Sequence, residues 1–217
     1  MKTHLIVILA SGLLDAPFAN GAENKSATPD RISVFKAPLV CPAAPQIGCG
    51  SASKPILLDL EQVPGVLEAW LNRAGTRIAV VWRSDADATT RGKVVAELKE
   101  DRVTELDGKP REQAVNDFLS GKGWYHGADV DRLSEEEAGI ISARWVRRVE
   151  AKAALDQDKA ERLRKILTEE LRNRLTGRSN QEPLAVSRLV GGLLDEKQIA
   201  MLKQAMESGV RPLPNEN

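Results

Sequence analysis

Strand-period apolar runs, interleaved with two helix-period ones, occupy the chain up to about residue 107 and stop there, and that change decides what it can fold into. Before about residue 107, short apolar stretches alternate with polar residues or lie between Gly/Pro turns, the period of strands. Beyond Gly108 the apolar residues recur three and four apart, the spacing of one helix face. Ile32-Ser33-Val34-Phe35 predicts a strand. Ser53 is expected to cap a helix with Pro55 in its first turn, where a missing amide donor costs nothing. Ile56, Leu57, Leu60 and Val63 give that helix its apolar face, and Pro64-Gly65 ends it. Val66 to Leu71 and Thr76 to Trp82 predict a hairpin about Asn72-Arg73-Ala74-Gly75. Ile78, Val80 and Trp82 face one way, Ala79 and Val81 the other. A helix over 89–99 and a short strand over 102–106 complete a β-α-β-β-α-β order. The expected class is α+β, a ferredoxin-like sandwich over residues 31–107 with two helices on one sheet face and the other face open.

Residues 108–133 read as a linker holding a short helix, Arg111 to Leu119, and a glycine-marked loop. A helical region over 134–210 and a tail over 211–217 follow. Ser134 with Glu137 three residues later reads as a capping box, followed by the stripe Ala138, Ile141, Trp145 and Val149. Asp156 or Asp158 opens the next helix, with Leu163, Ile166, Leu167, Leu171 and Leu175 inward and Gly177 at its end. Asp195 opens the last one, which aligns Ile199, Leu202 and Met206. Such stripes do not form stable helices alone. They bundle, cover the open sheet face, or pair with a protein partner or a second copy of the chain. Residues 144–178 carry 11 basic and 6 acidic side chains; a solvated face laced with i,i+4 pairs is the simpler reading of that excess, and a basic surface for an acidic partner or anionic lipid is the other.

Charge and composition exclude several functions. With 31 Lys+Arg against 31 Asp+Glu in 217 residues, the chain lacks the basic excess of a nucleic-acid binder, so no nucleic acid is expected as partner. Its 4 Trp, 3 Phe and 1 Tyr are too few for a stacking platform. Residues 1–22 read as a signal peptide: a weakly basic start, the apolar run Leu5 to Leu14, then small Ala19, Gly21 and Ala22. That run is shorter than the ~20 residues a spanning helix needs. The protein is therefore expected to be exported, periplasmic in a Gram-negative cell, without a transmembrane segment. Residues 23–30 read as a flexible leader.

The 2 cysteines lie together in the loop from Ala37 to Ser53. Cys49-Gly50-Ser51-Ala52, followed by Ile56, Leu57, Leu60 and Val63-Pro64-Gly65-Val66, resembles the first half of a heavy-metal-associated domain, the unit of metal chaperones and periplasmic mercury-binding proteins. The resemblance covers residues 31–106. It implies a soft-metal site at the N-terminus of the first helix, where the dipole favours thiolates. The family carries C-x-x-C there. Cys49 stands at its first cysteine, and Ala52 at its second, so Cys41 is the available partner. Two thiolates suit Cu(I), Hg(II) or Zn(II). The pair has three open states: a two-thiolate metal site, a disulfide, and two unpaired thiols. The leading expectation is an exported soft-metal-binding protein for scavenging, transfer or sensing, using Cys41 and Cys49. The alternatives are a non-catalytic interaction module with a structural Cys41–Cys49 disulfide, and a thiol redox protein.

His126, Asp129 and Asp131 form a thinner metal-like grouping, for which a loop anchored by aromatics is the simpler reading. There is no G-x-S-x-G, no phosphate loop and no H-E-x-x-H, so no catalytic residue is assigned and no enzyme is expected.

Overall fold

A computed structural model describes residues 27–100, 102–179, 184–214 and 216. The expected signal peptide over 1–22 lies outside them, as do residues 23–26 of the leader; Pro29–Arg31 forms a 3-10 turn. The elements β1 (Ile32–Lys36), α1 (Gly50–Gln62), β2 (Val66–Asn72), β3 (Arg77–Trp82), α2 (Ala88–Glu100) and β4 (Thr104–Glu105) come first. They are followed by α3 (Gly108–Leu119), β5 (Trp124–His126), α4 (Asp131–Glu150), α5 (Gln157–Leu175), the short α6 (Val186–Leu189) and α7 (Glu196–Glu207). The class is α+β, and the five-stranded sheet has the order β4-β1-β3-β2-β5. Every neighbouring pair is antiparallel, with Val34 opposite Ala79 and Ala79 opposite Trp70. Among the described residues, no helix is long and apolar enough to cross a membrane.

Alternation in β3 sorts side chains onto two cores. Ile78, Val80 and Trp82 join the larger core, which holds Leu57 and Leu60 of α1 and Val94 and Leu98 of α2. Ala79 and Val81 join the smaller one with Ile32, Val34 and Trp70. The face expected to be open is instead covered by α3, whose Ala114, Val115 and Phe118 are buried on it. Leu106, Leu119 and Trp124 pack at the margin of this layer. Trp70 and Trp124 pack on Phe118 edge-on, with ring centroids 5.8 and 5.2 Å away, an orientation that aromatic quadrupoles favour.

Other expectations shift as well. The loop after α3 contains β5, because Trp124, Tyr125 and His126 pair with Asn72, Leu71 and Trp70 along the free edge of β2. The strand expected over 102–106 is only Thr104–Glu105, paired with Phe35 and Lys36. Further along β1, Leu106 N donates to Val34 O at 2.8 Å and the Arg111 guanidinium to Ile32 O at 2.8 Å. Helix α1 starts three residues before the expected cap: Cys49 is its N-cap and Pro55 lies inside it. Ser53 is buried and returns its hydroxyl to Cys49 O at 2.8 Å. Ser134 is not a cap. The 3-10 turn Gly127–Val130 leads directly into α4 at Asp131, which places Ser134 and Glu137 inside the helix and buries both.

The expected caps of α5 and α7 are present. Asp156 accepts from Lys159 N, and Asp195 with Gln198 forms a reciprocal capping box. The helices bundle: Ala138, Ile141, Trp145 and Val149 of α4, Leu163 and Leu167 of α5 and Leu202 of α7 all enter the larger core. One cluster of buried apolar residues runs from Phe35 in the sheet to Ala205 in α7.

Candidate functional site

Cys41 and Cys49 stand on the two arms of a small hairpin between β1 and α1. Val40 pairs with Gly48 in antiparallel sense. Cys41 N donates to Ile47 O at 2.8 Å and Cys49 N donates to Leu39 O at 2.7 Å. Ala43, Ala44 and Ile47 bury its tip, so the proline-rich segment is packed rather than loose. In this ladder Cys41 and Cys49 are diagonal neighbours on the same face, since each lies one residue from the Val40–Gly48 pair. Both are free thiols.

Cys49 is half-buried and caps α1 through its backbone alone. Its Sγ lies 3.5 Å from Ser51 Oγ and donates to Glu137 Oε2 at 3.9 Å. Glu137 comes from α4 and is 5% exposed. Burial raises its carboxyl above the ordinary range, while contacts from the Cys41 and Cys49 thiols act in the opposite direction. Cys41, 1% exposed, is pushed up to about 12 by burial first and then by the negative charge and contact of Glu137. One buried carboxyl group thus serves both thiols.

Arg144 ties the hairpin to the rest of the helical layer. Buried on the same helix, it donates to Ala43 O at 2.9 Å and also to Val210 O. Burial lowers its pKa; the charges of Glu216 and Cys41 act to raise it. Glu137 and Arg144 were legible only as a capping residue and as part of a basic stretch. The signal for a buried role was their spacing: with Leu133, Ile141 and Arg148 they follow the three-and-four period of the buried stripe.

Ala52, at the position of the family's second cysteine, is exposed. The grouping of His126, Asp129 and Asp131 is not brought onto one centre. His126 Nε2 lies 2.9 Å from Glu61 Oε1, close enough for an ion pair but not aligned as a hydrogen bond. Asp131 holds Lys54 Nζ at 2.8 Å, and Asp129 faces solvent. Among the described residues, no three Cys, His, Asp or Glu side chains stand at the spacing of a preformed metal cage.

The two thiols differ in reactivity. Burial pushes the Cys41 thiol up to about 12 and keeps it out of reach of solvent, so it offers little thiolate, whereas Cys49 is half-buried and reachable. A maleimide is expected to label Cys49 alone in the folded protein and Cys41 only after unfolding, as read by peptide mass mapping. Equal labelling of both in the folded state would refute this order. In comparisons with known proteins the chain matches no family model, no curated protein and no solved structure.

Proposed function

We propose that this protein binds a soft metal ion through Cys41 and Cys49 and serves, after export, in scavenging, transfer or sensing of that ion. The observation that carries this reading is the Cys49 thiol at the N-terminus of α1, 3.9 Å from the buried carboxyl of Glu137, with the Cys41 thiol its diagonal neighbour on the same face of the hairpin. A structural pair would need neither the carboxylate nor the half-exposed position of Cys49. Diagonal ladder neighbours have Cα atoms about 7–8 Å apart, beyond the 4.4–6.8 Å usual for a disulfide and within the span of two thiolates sharing one ion. The β-α-β-β-α-β run and the antiparallel order β4-β1-β3-β2 support reading residues 31–107 as a ferredoxin-like unit of the heavy-metal-associated type. In this version the second thiol comes from the hairpin rather than from the helix.

Titration of the reduced protein with Cu(I), Hg(II) and Zn(II) against a competing chelator tests the reading. Tight 1:1 binding is expected. Cys49→Ser should weaken it by more than about 100-fold, above the 10–100-fold typical of outer-shell residues. A Cys41–Cys49 disulfide that resists mild reduction, with weak affinity after forced reduction, would sink the proposal.

A further inference from the structure

Resting on that reading, we infer that Glu137 is the third ligand of the site and that its cargo is a borderline divalent ion, zinc- or cadmium-like, rather than a two-coordinate ion such as Cu(I) or Hg(II). Geometry is the first ground. Zinc takes sulfur at about 2.3 Å and carboxylate oxygen at about 2.0–2.2 Å. At tetrahedral to trigonal angles these bonds put sulfur and oxygen roughly 3.5–3.8 Å apart. Cys49 Sγ and Glu137 Oε2 stand at 3.9 Å, so bringing them to ligand spacing needs only a few tenths of an ångström. Glu137 is held there by α4, a 20-residue helix packed on α1 and α5, not by a mobile loop.

Charge is the second ground. Two thiolates and one carboxylate carry three negative charges into a site where Cys41 and Glu137 are 1% and 5% exposed. Arg144, 7% exposed and bonded to Ala43 O beside Cys41, supplies one positive charge. Glu216 lies 2.7 Å from Arg148 and 3.8 Å from Arg144, so the two arginines and that one carboxylate together still leave one positive charge. A divalent ion then brings the buried group to neutrality, whereas a monovalent ion leaves a net negative charge in a low-dielectric interior, which is costly. A linear two-thiolate ion would also leave the Glu137 carboxylate beside it without a partner.

Reduced wild-type protein and Glu137→Gln are to be titrated with Zn(II), Cd(II) and Hg(II), and the Cd(II) form of the wild type examined by X-ray absorption. The expected result is at least a ~10-fold loss of Zn(II) and Cd(II) affinity in Glu137→Gln, with Hg(II) changed by less than about threefold. The wild-type cadmium shell should contain two sulfurs and oxygen. An equal loss for all three ions, no loss for any, or a shell without carboxylate oxygen overturns the assignment; the absorption measurement needs no variant and stands if Glu137→Gln folds poorly. Hg(II) binding that depends on Cys49 while Zn(II) ignores Glu137 would remove the third ligand and keep the two-thiolate site. Binding of none of the ions by the wild type would remove both.

Discussion

Arg148→Ala is expected to destabilise the protein by about 3–5 kcal/mol, the usual cost of removing one partner from a buried ion pair. The guanidinium, 6% exposed, holds Glu216 Oε1 at 2.7 Å. It also donates to Ala205 O, Ser208 Oγ, Gly209 O, Arg211 O and Glu216 Oε2. These acceptors lie at the end of α7 and in the segment after it, and truncation would leave them without their donor. Urea denaturation followed by circular dichroism measures the loss. The same pair has a pH signature. Arg148 holds the Glu216 carboxyl down to about 2 from an ordinary 4.5. A depressed acid stabilises the fold above its unfolded pKa and loses that contribution as pH falls through the folded one. Wild-type stability should therefore decline between about pH 4.5 and 2 more steeply than that of Glu216→Gln. Parallel profiles would show that the carboxylate contributes nothing.

The second large effect is expected at Gly75, which ends the β2–β3 turn at φ +68°. A side chain there is strained by the left-handed backbone and has no room. A Cβ would lie 2.2 Å from Leu39 O and 2.6 Å from Gly48 Cα, both main-chain atoms of the cysteine hairpin. Gly75→Ala is expected to cost about 2–4 kcal/mol, combining overpacking with an unfavourable φ. Because the displaced atoms belong to the hairpin, Cys41 should become accessible to maleimide under conditions where the wild type protects it. A normal denaturation midpoint together with a protected Cys41 would refute this account.

How far the sequence could be read depended on whether local rules and tertiary packing agreed. The alternation in Ile78 to Trp82 assigned each side chain to a face, since period-two order leaves a strand no other choice. Asp156 and Asp195 were legible because an N-cap is a contact between residues three apart. Trp124 to His126 was not legible as a strand: three residues between glycines carry no period, and the free edge of β2 decides their conformation. The role of Glu137 was hidden by a local rule that explained it too well, since Ser134 and Glu137 have capping-box spacing while the helix already starts at Asp131. Cys41 and Cys49 were legible as a pair in one loop. Their shared carboxyl, 88 residues from Cys49, belongs to the packing of α4 on α1, which no local pattern reports.

The borders of the sheet bear on how it resists pairing with other strands. Its outer strands, β4 and β5, have 2 and 3 residues, too few to template another chain by ladder pairing. The stretch of β1 beyond β4 is also occupied, with Val34 O taken by Leu106 N and Ile32 O by Arg111. Edge-to-edge aggregation and strand addition by a foreign peptide are therefore discouraged along β1 and along the Trp70–Asn72 stretch of β2 that β5 covers.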